Sequence, residues 1–197
     1  PNCEPGQLVP ESDFHGWVEF GNRLVTGVVS LAVIVAVSAA MRREPRDRAL
    51  TWWAFGLVAG VAGQVALGAV TVLTHLSPPI VMAHFLLSMV LVWNAVVLHH
   101  AADPHPVAAA PTSTGVRQHI WAIAIITSVV VFTGTIVTAS GPHGGDEDVE
   151  RLGVDLPDAA RIHGLSVIAL IATTLWLLTR LHDQDPHLRR RVGTVLA

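Results

Sequence analysis

Charge is scarce in this chain. Only 14% of its 197 residues are charged, whereas 51% are hydrophobic, and the mean hydropathy is +0.52. That balance is too apolar for an ordinary soluble domain, so the lipid bilayer is the expected solvent. Lysine is absent, which makes all 12 basic residues arginines, and the net charge of −3 is too small and too scattered to indicate a nucleic-acid partner.

Cysteine occurs once, at Cys3. The surrounding stretch, residues 1–16, has neither the basic region nor the apolar region of a signal peptide and has the composition of an extramembrane loop. Because the chain begins at Pro1, we expect part of the protein to lie upstream. A lone cysteine in such a loop indicates a partner outside this chain, and an oxidising compartment would permit a disulfide.

The apolar residues occur in five helix-length runs, at about residues 17–41, 50–73, 79–98, 120–139 and 159–181. Each run has roughly 20 residues or more, which at a rise of about 1.5 Å per residue crosses a hydrocarbon core of about 30 Å. The predicted fold class is therefore all-α, a polytopic transmembrane helical bundle of about five spans.

The loops between the runs predict the topology. Arginines are concentrated at 42–48 and 189–191, whereas the loop at 140–158 is acidic. Because basic loops face the cytoplasm, five spans place the arginine-rich loops inside, and the N-terminal loop and the acidic loop outside. The short HLSPP turn predicts that the second and third spans form a tight hairpin on the outer side.

A stretch rich in Pro, Ala, Ser and Thr separates the third run from the fourth. Its composition is typical of a linker. We predict that residues 101–118 form a cytoplasmic linker between two structural halves, residues 1–100 and 119–197.

Ionisable groups inside a span cost about 2.5 to 3.5 kcal/mol on insertion scales, so they are functional candidates. Glu19, Asn22 and Arg23 lie near the start of the first span, where spacings of three and four residues place them on one helix face. The alternative is that Glu19 and Arg23 form an interfacial pair that anchors the helix end.

Two histidines stand at similar depth in apolar surroundings, His84 in the third span and His163 in the fifth. The topology places both in one layer with Glu19. Neutral imidazole inside a low-dielectric bundle is suited to axial ligation of haem iron, whereas zinc would need three or four ligands close together. The alternative is a histidine that hydrogen-bonds across helices. Small residues such as Gly68 and Gly134 would admit either a flat ring or a neighbouring helix.

Several segments, taken in order, resemble haem A synthase, the membrane enzyme that oxidises haem O during cytochrome oxidase assembly. They are NCEPG before the first span, EFGNRLVTG at its start, GQVALGAVTVLTHLSPPIVMAHFLLS across the hairpin, TGTIVTASGPHGGD, and RIHG opening the fifth span. That family has eight spans in two pseudo-repeated four-helix halves, each offering a pair of histidines to a haem. The resemblance implies that this chain covers spans two to six, with residues 1–100 in the substrate-haem half and 119–197 beginning the haem b half.

Carried over by position, the resemblance assigns four residues. Glu19 matches the glutamate required for activity, and His84 matches the second histidine of the substrate-binding half. His163 matches the first histidine of the C-terminal half, whose haem b is thought to pass electrons and whose other ligand would lie on the eighth span. Cys3 matches the second of the paired outer-loop cysteines.

One position departs from the family pattern, which reads Glu-x-x-His-Arg in the first span. Asn22 stands where the family has histidine, so the resemblance does not carry a two-histidine ligand set over to that half. Asn22 would instead hydrogen-bond a ligand or an iron-bound water, and Arg23 would pair with a haem propionate.

The implied function is haem A synthesis in the plasma membrane of a bacterium, where successive hydroxylation of a methyl group of haem O yields the formyl group of haem A. The electron donor is unidentified, and haem O synthase and cytochrome oxidase assembly factors are candidate partners. One alternative is a non-catalytic haem carrier or b-type electron-transfer protein, which needs the histidines but not Glu19. Another is a structural or transport bundle without haem.

Overall fold

The computed structural model describes residues 14–103, 113–142 and 149–182, and these residues form five α-helices and no strand. The helices are α1 (Phe14–Arg42), α2 (Arg48–Leu73), α3 (Pro78–Ala102), α4 (Thr114–Ser140) and α5 (Leu156–His182). All five are long and apolar enough to cross a membrane. Each contains one of the predicted runs, so the all-α class with five spans is confirmed.

Some predictions concern residues outside the described ranges. Cys3, the linker residues 104–112 and the arginines at 189–191 are among them. The disulfide, the division into two halves at the linker and the sidedness of the loops therefore stay predictions.

Short polar side chains begin two of the helices. Asp47 directly precedes α2. Its Oδ1 accepts the backbone N–H groups of Ala49 at 2.8 Å and Leu50 at 3.2 Å in the first turn of that helix. Ser113 Oγ accepts the backbone N–H of Val116 at 3.3 Å and begins α4. Both contacts pair N–H groups that have no partner inside the helix, which explains why the helices begin at these positions.

The turn between α2 and α3 ends one helix and starts the next within four residues. The N–H of Leu76 donates to the carbonyl of Thr71 at 2.9 Å, and that of His75 donates to the carbonyl of Val72 at 3.2 Å. This pattern closes a helix with a left-handed residue, and His75 has φ 49°. Pro78 then occupies the first position of α3, where a missing N–H costs nothing. The predicted hairpin is confirmed.

The chain divides into two compact units, the first comprising Pro1–Gly63 and Val90–Pro104, the second Gln64–Met89 and His105–Ala197. In the first unit, α1, α2 and α3 share an apolar core. Its buried members are Ala40, Leu50, Ala54, Leu57 and Leu98.

Asn94 of α3 is buried beside that core. With its amide oriented to satisfy both ends, Asn94 donates to the carbonyl of Trp53 at 3.1 Å and accepts from the N–H of Leu57 at 3.2 Å. A Cβ at Gly56 would lie only 2.5 Å from this amide. At Gly56, the small-residue face of the second span therefore serves helix packing.

In the second unit α4 packs along α5. Val116 and Leu177 are buried against each other at one end of this pair. Beyond the other end of α4 the chain folds back, because the N–H of Leu152 donates to the carbonyl of Ala139 at 3.0 Å. Leu152 and its described neighbours are thereby held next to the residues of α4 and α5 that form the candidate site.

Candidate functional site

His163 lies on α5 in the second unit, with its ring against α4. A Cβ added to Gly134 would approach His163 Cε1 to 3.2 Å and Nε2 to 3.9 Å. Any added side chain would force the imidazole or α4 to move by a few tenths of an ångström, so glycine suits this close approach. Gly134 of the fourth span therefore makes room for a flat ring, which is the imidazole of His163.

The hydroxyl group of Thr133 contacts this imidazole, and the hydroxyl group of Ser166 contacts that of Thr133. Thr133 Oγ1 lies 3.1 Å from His163 Nδ1 and 3.3 Å from Ser166 Oγ. Ser166 Oγ in turn donates to the backbone carbonyl of His163 at 2.7 Å. Thr133 is buried, with 9% of its surface exposed, so these contacts are shielded from competing solvent. The arrangement holds Nδ1 and leaves Nε2 as the second ring nitrogen.

His163 also lines a cavity of about 750 Å³ within the second unit. This volume falls in the range of roughly 300 to 1,000 Å³ that is usual for small-molecule and cofactor sites. Aliphatic and aromatic side chains form most of the wall, with Arg151 at the loop. The lining residues are Leu76, Pro78, Val81, Met82, Phe85, Val130, Val131, Gly134, Thr135, Val137, Thr138, Ala139, Val149, Arg151 and His163.

The residues around this cavity fit a haem. A haem needs an axial ligand such as an imidazole nitrogen for its iron, apolar walls for its macrocycle and a cation or water for its propionates. His163, the walls formed by α3 and α4, and Arg151 supply these three features. Arg151 also donates to the carbonyl of Pro142 at 3.1 Å, which helps to hold the loop beside the cavity.

His84 lies on α3 in a different setting within the same unit. Its ring lies opposite Gly68 of α2, where an added Cβ would be 3.5 Å from Cε1. Gln64 Nε2 donates to the His84 carbonyl at 3.0 Å and to Ser88 Oγ at 2.7 Å, which ties α2 to α3. His84 Nδ1 is buried without a hydrogen-bond partner among the described residues. His84 is not among the residues that line the His163 cavity.

The remaining predicted site residues belong to α1, in the first unit. Asn22 and Arg23 are exposed. Glu19 lies on α1, but its side chain is outside the described part of the structure. The convergence of these residues with the histidines therefore stays a prediction, as do the roles assigned to all of them.

Sequence reasoning missed two contributors to the site. Arg151 stands in a loop among acidic residues and carries no local sign that it returns to the end of α4. Ser166 follows His163 by three residues, a spacing that places both on one helix face. This spacing could have identified Ser166 from the sequence. Thr133 contacts His163 only because α4 packs against α5, so its role also could not be predicted from the sequence.

The fold and the site define a class, a polytopic helical membrane protein with a candidate haem cavity. The chain matches the family model of the cytochrome oxidase assembly protein COX15-CtaA over residues 7–142. It is 32% identical to haem A synthase of Symbiobacterium thermophilum in a 219-residue alignment that covers 100% of this chain and 70% of that protein. The chain therefore belongs to the COX15-CtaA family, which confirms the resemblance.

A second relative, haem A synthase of Geobacillus kaustophilus, is 33% identical over 85 residues, which cover 43% of this chain and 26% of that protein. No solved structure matches the chain significantly.

Proposed function

We propose that this protein synthesises haem A, by oxidising a methyl group of haem O to a formyl group for cytochrome oxidase assembly. The similarity of the whole chain to a haem A synthase carries this proposal. The cavity at His163 supports it, because a haem enzyme needs an apolar site with an available imidazole. Each hydroxylation of the methyl carbon would remove two electrons, which pass to an external oxidant. Two in succession would give a geminal diol, which loses water to leave the formyl group.

The cavity at His163 is the proposed site of haem b. His163 would provide an iron ligand, Gly134 makes room for the imidazole, and the guanidinium of Arg151 would pair with a propionate. When bound, haem b would supply single-electron transfer. The polypeptide holds the ring nitrogen in place and surrounds the macrocycle with apolar side chains.

The substrate side is proposed to involve α1 and His84. Glu19 would accept or donate protons near the reacting methyl group, since a carboxylate in a partly desolvated site is a suitable acid or base. His84 would ligate or orient haem O, Asn22 would hydrogen-bond a ligand or an iron-bound water, and Arg23 would pair with a propionate.

The proposed setting is the plasma membrane of a bacterium, with the loop at 140–158 outside. Haem O synthase would supply the substrate and cytochrome oxidase assembly factors would receive haem A.

Product analysis tests the proposal. The full-length protein is expressed beside haem O synthase in a host without haem A, and the extracted haems are separated by chromatography. We expect haem A from the wild type and about a 100-fold or larger loss in Glu19→Gln, the range that a general acid or base contributes. Glu150→Gln, at an exposed loop carboxylate, is the matched control.

The same experiment separates the enzyme from a haem carrier. A carrier needs the histidines but not Glu19, so a wild type that binds haem and forms no haem A would contradict the proposed activity. A Glu19→Gln variant with wild-type yield would leave the activity in place but overturn the role of Glu19.

A further inference from the structure

The hydrogen atoms around Thr133 determine which nitrogen of His163 carries a proton. Thr133 Oγ1 lies 2.8 Å from the carbonyl of Val129 and 3.2 Å from that of Val130. Carbonyl oxygens only accept, and a hydroxyl has a single hydrogen. We assign that hydrogen to the carbonyl of Val129, the shortest contact of this hydroxyl group. Oγ1 then has only lone pairs to offer His163 Nδ1 at 3.1 Å.

Ser166 does not change this result. Its hydroxyl hydrogen is directed to the carbonyl of His163 at 2.7 Å, a shorter contact than the 3.3 Å to Thr133. With both hydroxyl hydrogens assigned in this way, Nδ1 of His163 is the donor in its contact with Thr133. A neutral imidazole with hydrogen on Nδ1 has its lone pair on Nε2.

We infer that Thr133 is a positioning residue, which holds His163 as the Nδ1–H tautomer and presents Nε2 to the iron of a haem in the adjacent cavity. Metal-bound histidines characteristically donate their other ring N–H to an acceptor, which fixes the ring orientation and raises the basicity of the ligand. Here the acceptor is a buried threonine hydroxyl on the neighbouring helix. The inference rests on the proposed haem at His163.

The packing of α4 on α5 keeps this contact in register. Gly134, next to Thr133, brings the α4 backbone within van der Waals distance of the imidazole. Thr133 itself is 9% exposed, so water cannot easily replace its hydroxyl. By contrast, Nδ1 of His84 has no partner in the described residues, so of these two candidate ligands only His163 has its Nδ1 fixed in this way.

The test compares Thr133→Val, which has nearly the same shape but no hydroxyl, with Thr133→Ser, which keeps the hydroxyl. Thr173→Val is the control, because Thr173 lies elsewhere on α5 and donates to the carbonyl of its own helix. His163→Ala establishes which haem is observed. Two quantities are measured on the full-length, haem-loaded protein: the rate of haem loss to a scavenging acceptor protein, and the reduction midpoint potential.

We expect Thr133→Val to retain haem about 10- to 100-fold more weakly, the effect typical of losing a partner of a metal-bound histidine. Its midpoint potential should rise, because a less basic imidazole stabilises ferric iron less. Thr133→Ser should stay close to the wild type and Thr173→Val should match it.

Three results would overturn the inference, and they differ in what else they overturn. If His163→Ala loses the haem but Thr133→Val matches the wild type, the haem site stands and the role of Thr133 fails. If Thr133→Ser behaves like Thr133→Val, the effect comes from packing rather than from the hydroxyl. If His163→Ala keeps the same haem as the wild type, both the haem site at His163 and the inference fail.

Discussion

His163 and His84 both face a glycine on the preceding helix, but their ring nitrogens have different partners. Nδ1 of His163 meets the hydroxyl of Thr133 at 3.1 Å. Nδ1 of His84 is buried and has no partner among the described residues, and neither has Oε1 of the neighbouring Gln64. One imidazole is oriented by the helix beside it, whereas the other is not.

The difference shows that two histidines with the same predicted depth can differ in whether their ring nitrogens have hydrogen-bond partners. A buried polar atom without a hydrogen bond costs about 1 to 3 kcal/mol. At His163 this cost is avoided within the α4–α5 pair. The His84 hairpin has two such atoms, Nδ1 of His84 and Oε1 of Gln64, and the resemblance assigns His84 to substrate haem. Nδ1 of His163 thus has a hydrogen-bond partner, while Nδ1 of His84 and Oε1 of Gln64 have none among the described residues.

The largest expected effect distinguishes the two histidines directly. His163→Ala should abolish the tightly held haem, because it removes the proposed iron ligand, whereas His84→Ala should retain it. The measurement is the optical spectrum of the purified protein, oxidised and then reduced with dithionite. His100→Ala, at an exposed position near the end of α3, is the control. Equal haem loss in the two alanine variants would remove the distinction between the sites.

The glycines opposite the two rings sharpen the comparison. Gly134→Ala would place a Cβ 3.2 Å from His163, tighter than most real contacts, whereas Gly68→Ala would place one 3.5 Å from His84, an ordinary contact. We therefore expect Gly134→Ala to shift the reduced haem bands and speed haem loss several-fold, about 1 kcal/mol of strain, and Gly68→Ala to leave both unchanged. A larger effect of Gly68→Ala than of Gly134→Ala would show that the α4–α5 contact adapts to an added methyl group more easily than the α2–α3 contact does.

Gln64 connects the two helices of the His84 hairpin without touching the His163 site. Gln64→Leu removes its hydrogen bonds to the His84 carbonyl and Ser88. Interhelical hydrogen bonds in membrane proteins contribute about 0.6 to 1.7 kcal/mol, so we expect a loss of this order in the free energy of unfolding, measured by denaturant titration in detergent. Val65→Leu, at an exposed position, should have little effect. Weaker haem binding in Gln64→Leu would contradict the independence of the two sites.

The smallest effect is expected in the turn that joins the helices of the hairpin. His75 has a φ of 49°, which a residue with a Cβ adopts at a cost of about 1 to 2 kcal/mol, partly offset in glycine by its greater unfolded freedom. His75→Gly should therefore stabilise the protein by up to about 1 kcal/mol in thermal unfolding. The same change at Ala69, inside α2, should destabilise it by about 1 kcal/mol. Haem content should not change in either.

The five helices were predictable because membrane insertion depends on a local quantity. Each span needs enough consecutive apolar residues to cross the hydrocarbon core, and each run in this sequence has them. The hairpin was predictable for a similar reason, since Pro78 and the short HLSPP segment end one helix and begin another. Asn94 escaped this reasoning, because its partners Trp53 and Leu57 lie about 40 residues away along the chain.

The candidate site was predictable in part. His84 and His163 could be singled out because an imidazole at membrane depth needs a reason. Their partners could not, since Thr133 and Arg151 resemble many other threonines and loop arginines in composition and spacing. Arg151 reaches the cavity only because the loop folds back onto Ala139 and Pro142.

The amino-acid order was thus sufficient for the number of helices that can span a membrane and for the family to which the chain belongs. These properties depend on the hydropathy and motifs of single segments. The helix packing was needed to learn which ring nitrogen of His163 has a hydrogen-bond partner and which residues line the cavity beside it. The hydrogen-bond role of a ring nitrogen depends on the atoms within hydrogen-bonding distance. For Nδ1 of His163 the partner belongs to α4, some 30 residues earlier in the chain.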